Sequence, residues 1–106
     1  MKSTTKSPNL TSFYGSEVIA TVKELIQVLG EPSYDGNDGD DKVNYEWVLE
    51  TDKGDVFTVY DWKHYRSIST DEQVYWHIGG HSSEVTITAK REIEEALNNR
   101  IIESLS

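Results

Sequence analysis

The sequence predicts an α+β fold: an antiparallel sheet of three to four strands, with one short N-terminal helix and one long C-terminal helix. Three observations predict it. Residues 43–62 hold two runs of alternating apolar residues on either side of an Asp-Lys-Gly turn. A capping signature opens a helix at Thr21, and apolar residues recur at helical spacing from Val85 to Leu105.

The first twelve residues, "MKSTTKSPNLTS", are mostly polar. They read as a flexible tail and lack the apolar run of a signal peptide. Residues 13–106 then form one α+β domain, the number that a chain of 106 residues supports. "TSFYGSEVIA" has strand-forming residues around Gly15 and reads as a short strand or an extended lead-in. In "TVKELIQVLGEP", Thr21 and Glu24 make a capping box, while Gly30 and Pro32 stop the helix. Leu25, Ile26, Val28 and Leu29 are expected to turn inward.

"SYDGNDGDD" is dense in turn-forming Gly, Asn and Asp and reads as a loop. It is not a calcium loop: counted from Asp35, Glu46 falls on the twelfth position, but the sixth holds Asp40 instead of the required glycine. "KVNYEWVLET" alternates Val43, Tyr45, Trp47 and Leu49 against Asn44, Glu46 and Glu50, and "DVFTVYDW" completes an antiparallel hairpin. After the polar connection "HYRSISTDEQ", "VYWHIGG" forms a third strand, with Val74, Trp76 and Ile78 on one face and Tyr75 and His77 on the other. Tyr60, Trp62, Trp76 and Ile78 are expected to share one buried face.

The last helix is placed at about 84–105, with a serine N-cap in "SSEV" and a competing strand signal in "VTIT". A helix from 85 to 105 is about 31 Å long and overshoots strands of roughly 20 Å. Ile101, Ile102 and Leu105 then lie past the sheet, in a frayed end or in a contact with a second copy.

Composition narrows the function. With 19 acidic and 10 basic side chains the formal charge is −9, which opposes direct binding to nucleic acid or to an anionic membrane. The same charge suits a protein that docks on a basic surface through Asp35, Asp38, Asp40, Asp41, Glu92, Glu94 and Glu95. Absence of cysteine removes disulfides and thiolate metal sites, and no run of eighteen apolar residues crosses a membrane.

Two segments are candidates for a site. Gly79-Gly80, between the third strand and the long helix, reads either as a tight turn or as a cradle for an anion at a helix N-terminus, with His81 and Ser82 beside it. "DWKHYR" sets Lys63 and Arg66 beside Trp62 and Tyr65, a combination of cations and rings suited to nucleotides, or else a solvated loop edge. His77 and His81 span a turn and His64 is remote, so no metal site is expected, and no nucleophile–base arrangement suggests an enzyme.

"LGEP", "KVNYEWVLE", "GDVFTVYDWK" and "WHIGGHS" together resemble a group of small bacteriophage proteins over residues 17–83. That group is similar to the Thoeris anti-defence sponges, which sequester cyclic nucleotide immune signals without cleaving them. The resemblance implies a non-enzymatic, cofactor-free homo-oligomer acting in the host cytoplasm, assembled through the C-terminal helix. It implies ligand contacts at Tyr60, Trp62, Lys63, Arg66, His77, Gly79, Gly80, His81 and Ser82. The acidic C-terminal region departs from the pattern, leaving Lys90, Arg91 and Arg100 as its cations, with Arg91 a further candidate contact. The alternative implied by composition is a nucleic-acid mimic that blocks a host nuclease or another defence effector.

Overall fold

The computed structural model describes residues 1–36, 43–62 and 66–105, apart from the side chains of 102–105. The chain is α+β, with an antiparallel sheet, a short first helix and a long last one. The elements are β1 (Lys2–Ser3), β2 (Ser12–Ala20), α1 (Val22–Leu29), β3 (Tyr34–Asp35), β4 (Tyr45–Glu50), β5 (Val56–Tyr60), β6 (Val74–Gly80) and α2 (Ser83–Leu105). The sheet has six strands in the order β1-β4-β5-β6-β2, and β3 also pairs with β4.

Six strands replace the three to four expected, and the difference lies in pairings too short to leave a periodic pattern. Tyr34 and Asp35, inside the segment read as a loop, pair with Glu46 and Tyr45. Lys2 and Ser3, assigned to the N-terminal tail, pair with Glu50 and Leu49. Between these two pairings Ser33 Oγ accepts a hydrogen bond from Val48 N at 3.1 Å. One edge of β4 is thereby covered along most of its length, which protects its backbone groups from a stray strand.

The hairpin forms as the alternation dictates. Trp47 pairs with Val59 and Leu49 with Phe57, all buried. The turn is closed by Gly54 N donating to Thr51 O at 2.8 Å, with Gly54 at φ 89°. β6 pairs with β5 and β2, placing Val74, Trp76 and Ile78 in the core. β2 is a full nine-residue strand at the far edge of the sheet.

Both helices cover the same face. Thr21 caps α1 through the complete box with Glu24, and Val22, Leu25 and Leu29 are buried, with Ile26 and Val28 partly so. Leu25, Ala89 and Ile93 join Trp47, Trp76 and Phe57 in one core. The Trp47 and Trp76 rings meet edge to face at 5.5 Å, and their indole N–H groups donate to Gly30 O and Ala20 O, both at 2.8 Å. A buried indole must find such a partner; one bond ties Trp47 to the end of α1 and the other ties Trp76 to the end of β2.

A buried carboxylate closes the end of the hairpin. Asp61 is fully buried and accepts from Asn44 N at 2.8 Å, Tyr45 N at 2.9 Å and Asn44 Nδ2 at 3.0 Å. Asn44 Nδ2 also donates to Arg66 O at 2.9 Å. Ile68 is buried in the same connection, so the segment read as polar has one apolar anchor.

Candidate ligand-binding face

Strand alternation puts every second residue on the face that the helices do not cover. One row crosses five strands there: Tyr34 pairs with Glu46, Glu46 with Tyr60, Tyr60 with His77, and His77 with Glu17. At about 4.8 Å per strand the row is roughly 19 Å long. Tyr60 and His77 stand between the carboxylates of Glu46 and Glu17, and Tyr34 lies beyond Glu46.

The face expected for Tyr60 and Trp62 is thereby corrected. Trp76 and Ile78 are in the core, whereas Tyr60 is half-buried beside His77 on the opposite face and Trp62 is 42% exposed. The reason is register: Val59, not Tyr60, lies opposite Ile78. A strand pairing of that parity sends Tyr60 outward with His77.

Trp62 follows the end of β5 and folds back over the row, 6.1 Å from the Tyr60 ring and 6.5 Å from the His77 ring. Phe13 reaches the row from the other side. Its ring stacks on the His77 imidazole at 3.9 Å and 10°. A bulge in β2 makes this possible: from Phe13 to Glu17 is four steps, opposite only two on β6, from Gly79 to His77. Gly15, inside the bulge at φ 95°, supplies the backbone conformation that the two extra residues need.

Electrostatics follow from this placement. Burial pushes the Glu46 carboxyl above its usual range. Burial also raises the Tyr60 phenol, and the charge of Glu46 adds to that effect. At the other end His77 Nε2 lies 3.4 Å from Glu17 Oε2, an ion pair whenever the imidazole is protonated.

The remaining sequence candidates are dispersed. Gly79 and Gly80 are not a turn; both are strand residues with buried backbone, paired across β5 and β2. They are glycine because of packing. A Cβ on Gly79 would stand 2.5 Å from Thr58 Oγ1, and one on Gly80 would stand 3.0 Å from Thr86 Cγ2 beneath α2. Gly79 therefore floors the aromatic row while Gly80 belongs to the core side.

His81 and Ser82 are exposed at the start of α2, where Ser82 Oγ accepts from Val85 N at 3.3 Å and Tyr14 Oη donates to His81 O at 3.4 Å. Arg66 grips Glu72 with both terminal nitrogens and also donates to Ser67 O at 3.2 Å. Lys63, His64 and Tyr65 lie outside the described residues, as do Asp38, Asp40 and Asp41 of the acidic surface. Arg91 is exposed on α2 and its charge acts on Asp52, on the helix side of the sheet. Arg100 pairs with Glu24 at 2.8 Å, and Lys90 lines a groove of about 510 Å³ between β2 and the end of α2.

Phe13 is the contact that the sequence conceals. Its position over His77 depends on a bulge with no signal other than Gly15. Among the described residues no group of three or more His, Asp or Glu is placed to hold a metal ion, and no helix is long and apolar enough to cross a membrane. No protein-family model, curated protein or solved structure matches this chain.

Proposed function

We propose that this chain is a non-catalytic binding protein that holds a planar small molecule on the helix-free face of its sheet. The ligand is a nucleotide-derived signal, as the resemblance to the anti-defence sponges implies. The observation that carries this reading is the open aromatic assembly of Phe13, Tyr60, Trp62 and His77, whose rings contact one another while Phe13 and Trp62 stay 41% and 42% exposed. Rings left at a surface in that way offer a platform for stacking, and a stacked base is typically worth about 1–3 kcal/mol. Self-association through the end of α2 belongs to the same proposal and rests on Ile101, 46% exposed beside Leu97 in the groove.

The test uses the one exposed tryptophan. Trp47 and Trp76 are 1% and 0% exposed, so quenching by added nucleotide reports on Trp62. Saturable quenching that disappears in Trp62→Phe, with intact nucleotide recovered after heat denaturation, supports the reading. A hydrolysed product would make the protein an enzyme, and unchanged fluorescence with every nucleotide would remove the proposal. Native mass spectrometry of the same sample reads the oligomer mass.

A further inference from the structure

Resting on the reading of this face as a base-stacking platform, we propose that Glu46 makes it selective for a base presenting two adjacent N–H donors, the guanine pattern. Three observations combine. Glu46 is the direct cross-strand neighbour of Tyr60, so it shares the helix-free face with the ring assembly and lies beside it. Among the described residues this half-buried carboxylate has no hydrogen-bond or ion-pair partner, unlike Glu17, which faces His77, and Glu72, which is held by Arg66. The row itself carries no Lys or Arg: it runs Tyr34, Glu46, Tyr60, His77, Glu17.

An ionised carboxylate is an acceptor only, with two oxygens set side by side. It matches a pair of parallel donors and repels acceptor atoms. Guanine presents its ring N1–H and its exocyclic amino group next to each other, so both carboxylate oxygens are used, as in other bidentate charge-assisted pairs. Adenine and cytosine place an acceptor ring nitrogen beside their amino group, and uracil flanks its single N–H with two carbonyl oxygens. Each of these turns at least one acceptor toward Glu46. Half-burial strengthens the discrimination, because a partly desolvated carboxylate gains more from a donor, and loses more to an acceptor, than one in bulk water.

The experiment titrates the full chain with guanosine, inosine and uridine monophosphates, following Trp62 fluorescence. Inosine monophosphate differs from the guanosine compound by the exocyclic amino group alone. The expected result is that guanosine monophosphate binds about tenfold tighter than inosine monophosphate, the loss of one hydrogen bond to a charged group, and tighter still than the uridine compound. Glu46→Gln, which keeps shape and replaces one acceptor by a donor, erases that preference while still binding all three. Equal affinity of guanosine and uridine monophosphates in the unmodified protein overturns the inference but leaves the stacking platform standing. Absence of quenching by all three overturns both. A preference that persists undiminished in Glu46→Gln also overturns the inference. A pH series supplies the second measurement: the preference fades on acidification at a pH above that at which ordinary carboxylates titrate, because the folded environment of Glu46 favours its protonated form.

Discussion

The Phe13 ring lies 3.9 Å from the His77 imidazole and almost parallel to it, although the two residues are 64 positions apart (77 − 13) and Phe13 pairs with Gly79 instead. The β2 bulge sets this offset and thereby adds Phe13 to the ring assembly that Tyr60, Trp62 and His77 form on the helix-free face.

Phe13→Ala separates the platform from the fold. Phe13 is outside the core and 41% exposed, so its removal leaves the packing around Trp47 and Trp76 intact. Nucleotide affinity is expected to fall about tenfold, within the range of a single lost stacking contact, while the unfolding midpoint moves by only a few degrees. Calorimetric titration beside a thermal melt checks both. A variant that binds as well as the parent would show that Phe13 is not part of the platform.

Gly79 links the fold to that platform through its contact with Thr58. The Thr58 hydroxyl occupies the space that a methyl group would need, since a Cβ at position 79 would meet Thr58 Oγ1 at 2.5 Å. Gly79→Ala is expected to destabilise by about 1–3 kcal/mol, the usual cost of overpacking. Adding Thr58→Ala removes the opposing atom and recovers most of the loss, so the two changes are non-additive in a double-mutant cycle. Equal effects of Gly79→Ala in the two backgrounds would mean that some other contact sets the glycine requirement.

What was legible in the sequence follows from the range of the interactions. The hairpin, the α1 capping box and α2 arise from local periodicity and from side chains three or four residues apart, so Thr21, Glu24, Gly54 and the alternation through Trp47 and Phe57 announce them. β1 and β3 were not legible, because two-residue strands are selected by the edge of β4 and have no pattern of their own. The candidate site was half legible. His77 could be assigned to a face by alternation, but Tyr60 and Trp62 are related to it only through cross-strand register, which a single strand does not encode. The pair at Gly79-Gly80 looked like an anion-binding turn because glycine in a sequence does not say whether it serves a turn or a tight packing contact.

The buried Asp61 anchors the hairpin end. It satisfies two backbone N–H groups and the Asn44 amide in a site from which water is excluded. Asp61→Ala strands all three donors, and the expected cost is about 3–5 kcal/mol, as for loss of one partner in a buried charged network. Asn44→Ala removes the amide's bonds to Asp61 and to Arg66 O but keeps both backbone donors on the carboxylate, and should cost less. Chemical denaturation of both variants measures the difference. Because Trp62 directly follows Asp61, the Asp61 variant should also lose nucleotide-dependent quenching before it unfolds globally.

β1 is held by charges, and its attachment is therefore expected to depend on pH in both directions. Glu50 accepts a hydrogen bond from Thr4 Oγ1 at 2.9 Å and faces Lys6 Nζ at 3.3 Å and Lys2 Nζ at 3.4 Å, with the Thr4 bond the leading cause of its lowered pKa. Asp52 is lowered chiefly by its hydrogen bond from the N-terminal amino group. That amino group loses some affinity for its proton through desolvation, but its contacts with Asp52 and Glu92 outweigh this and raise its pKa. For the two carboxylates, a folded pKa below the unfolded one means that the stabilisation is present above the ordinary carboxylate range and is lost as pH falls through the lowered values. For the amino group the sign reverses: the contribution is complete below its ordinary value and is lost as pH rises through the raised one. Lys2 is paired with Glu50, the β4 residue whose backbone groups face β1. Amide exchange, corrected for its intrinsic pH dependence, should therefore show Lys2 most protected near neutrality and released as pH falls through the lowered carboxylate values, with a second loosening in alkali. Glu50→Gln should abolish much of the acid transition at Lys2 while leaving the β4–β5 amides unchanged. Protection of Lys2 that stays constant across the acid range would show that backbone pairing, and not these charges, holds β1 in place.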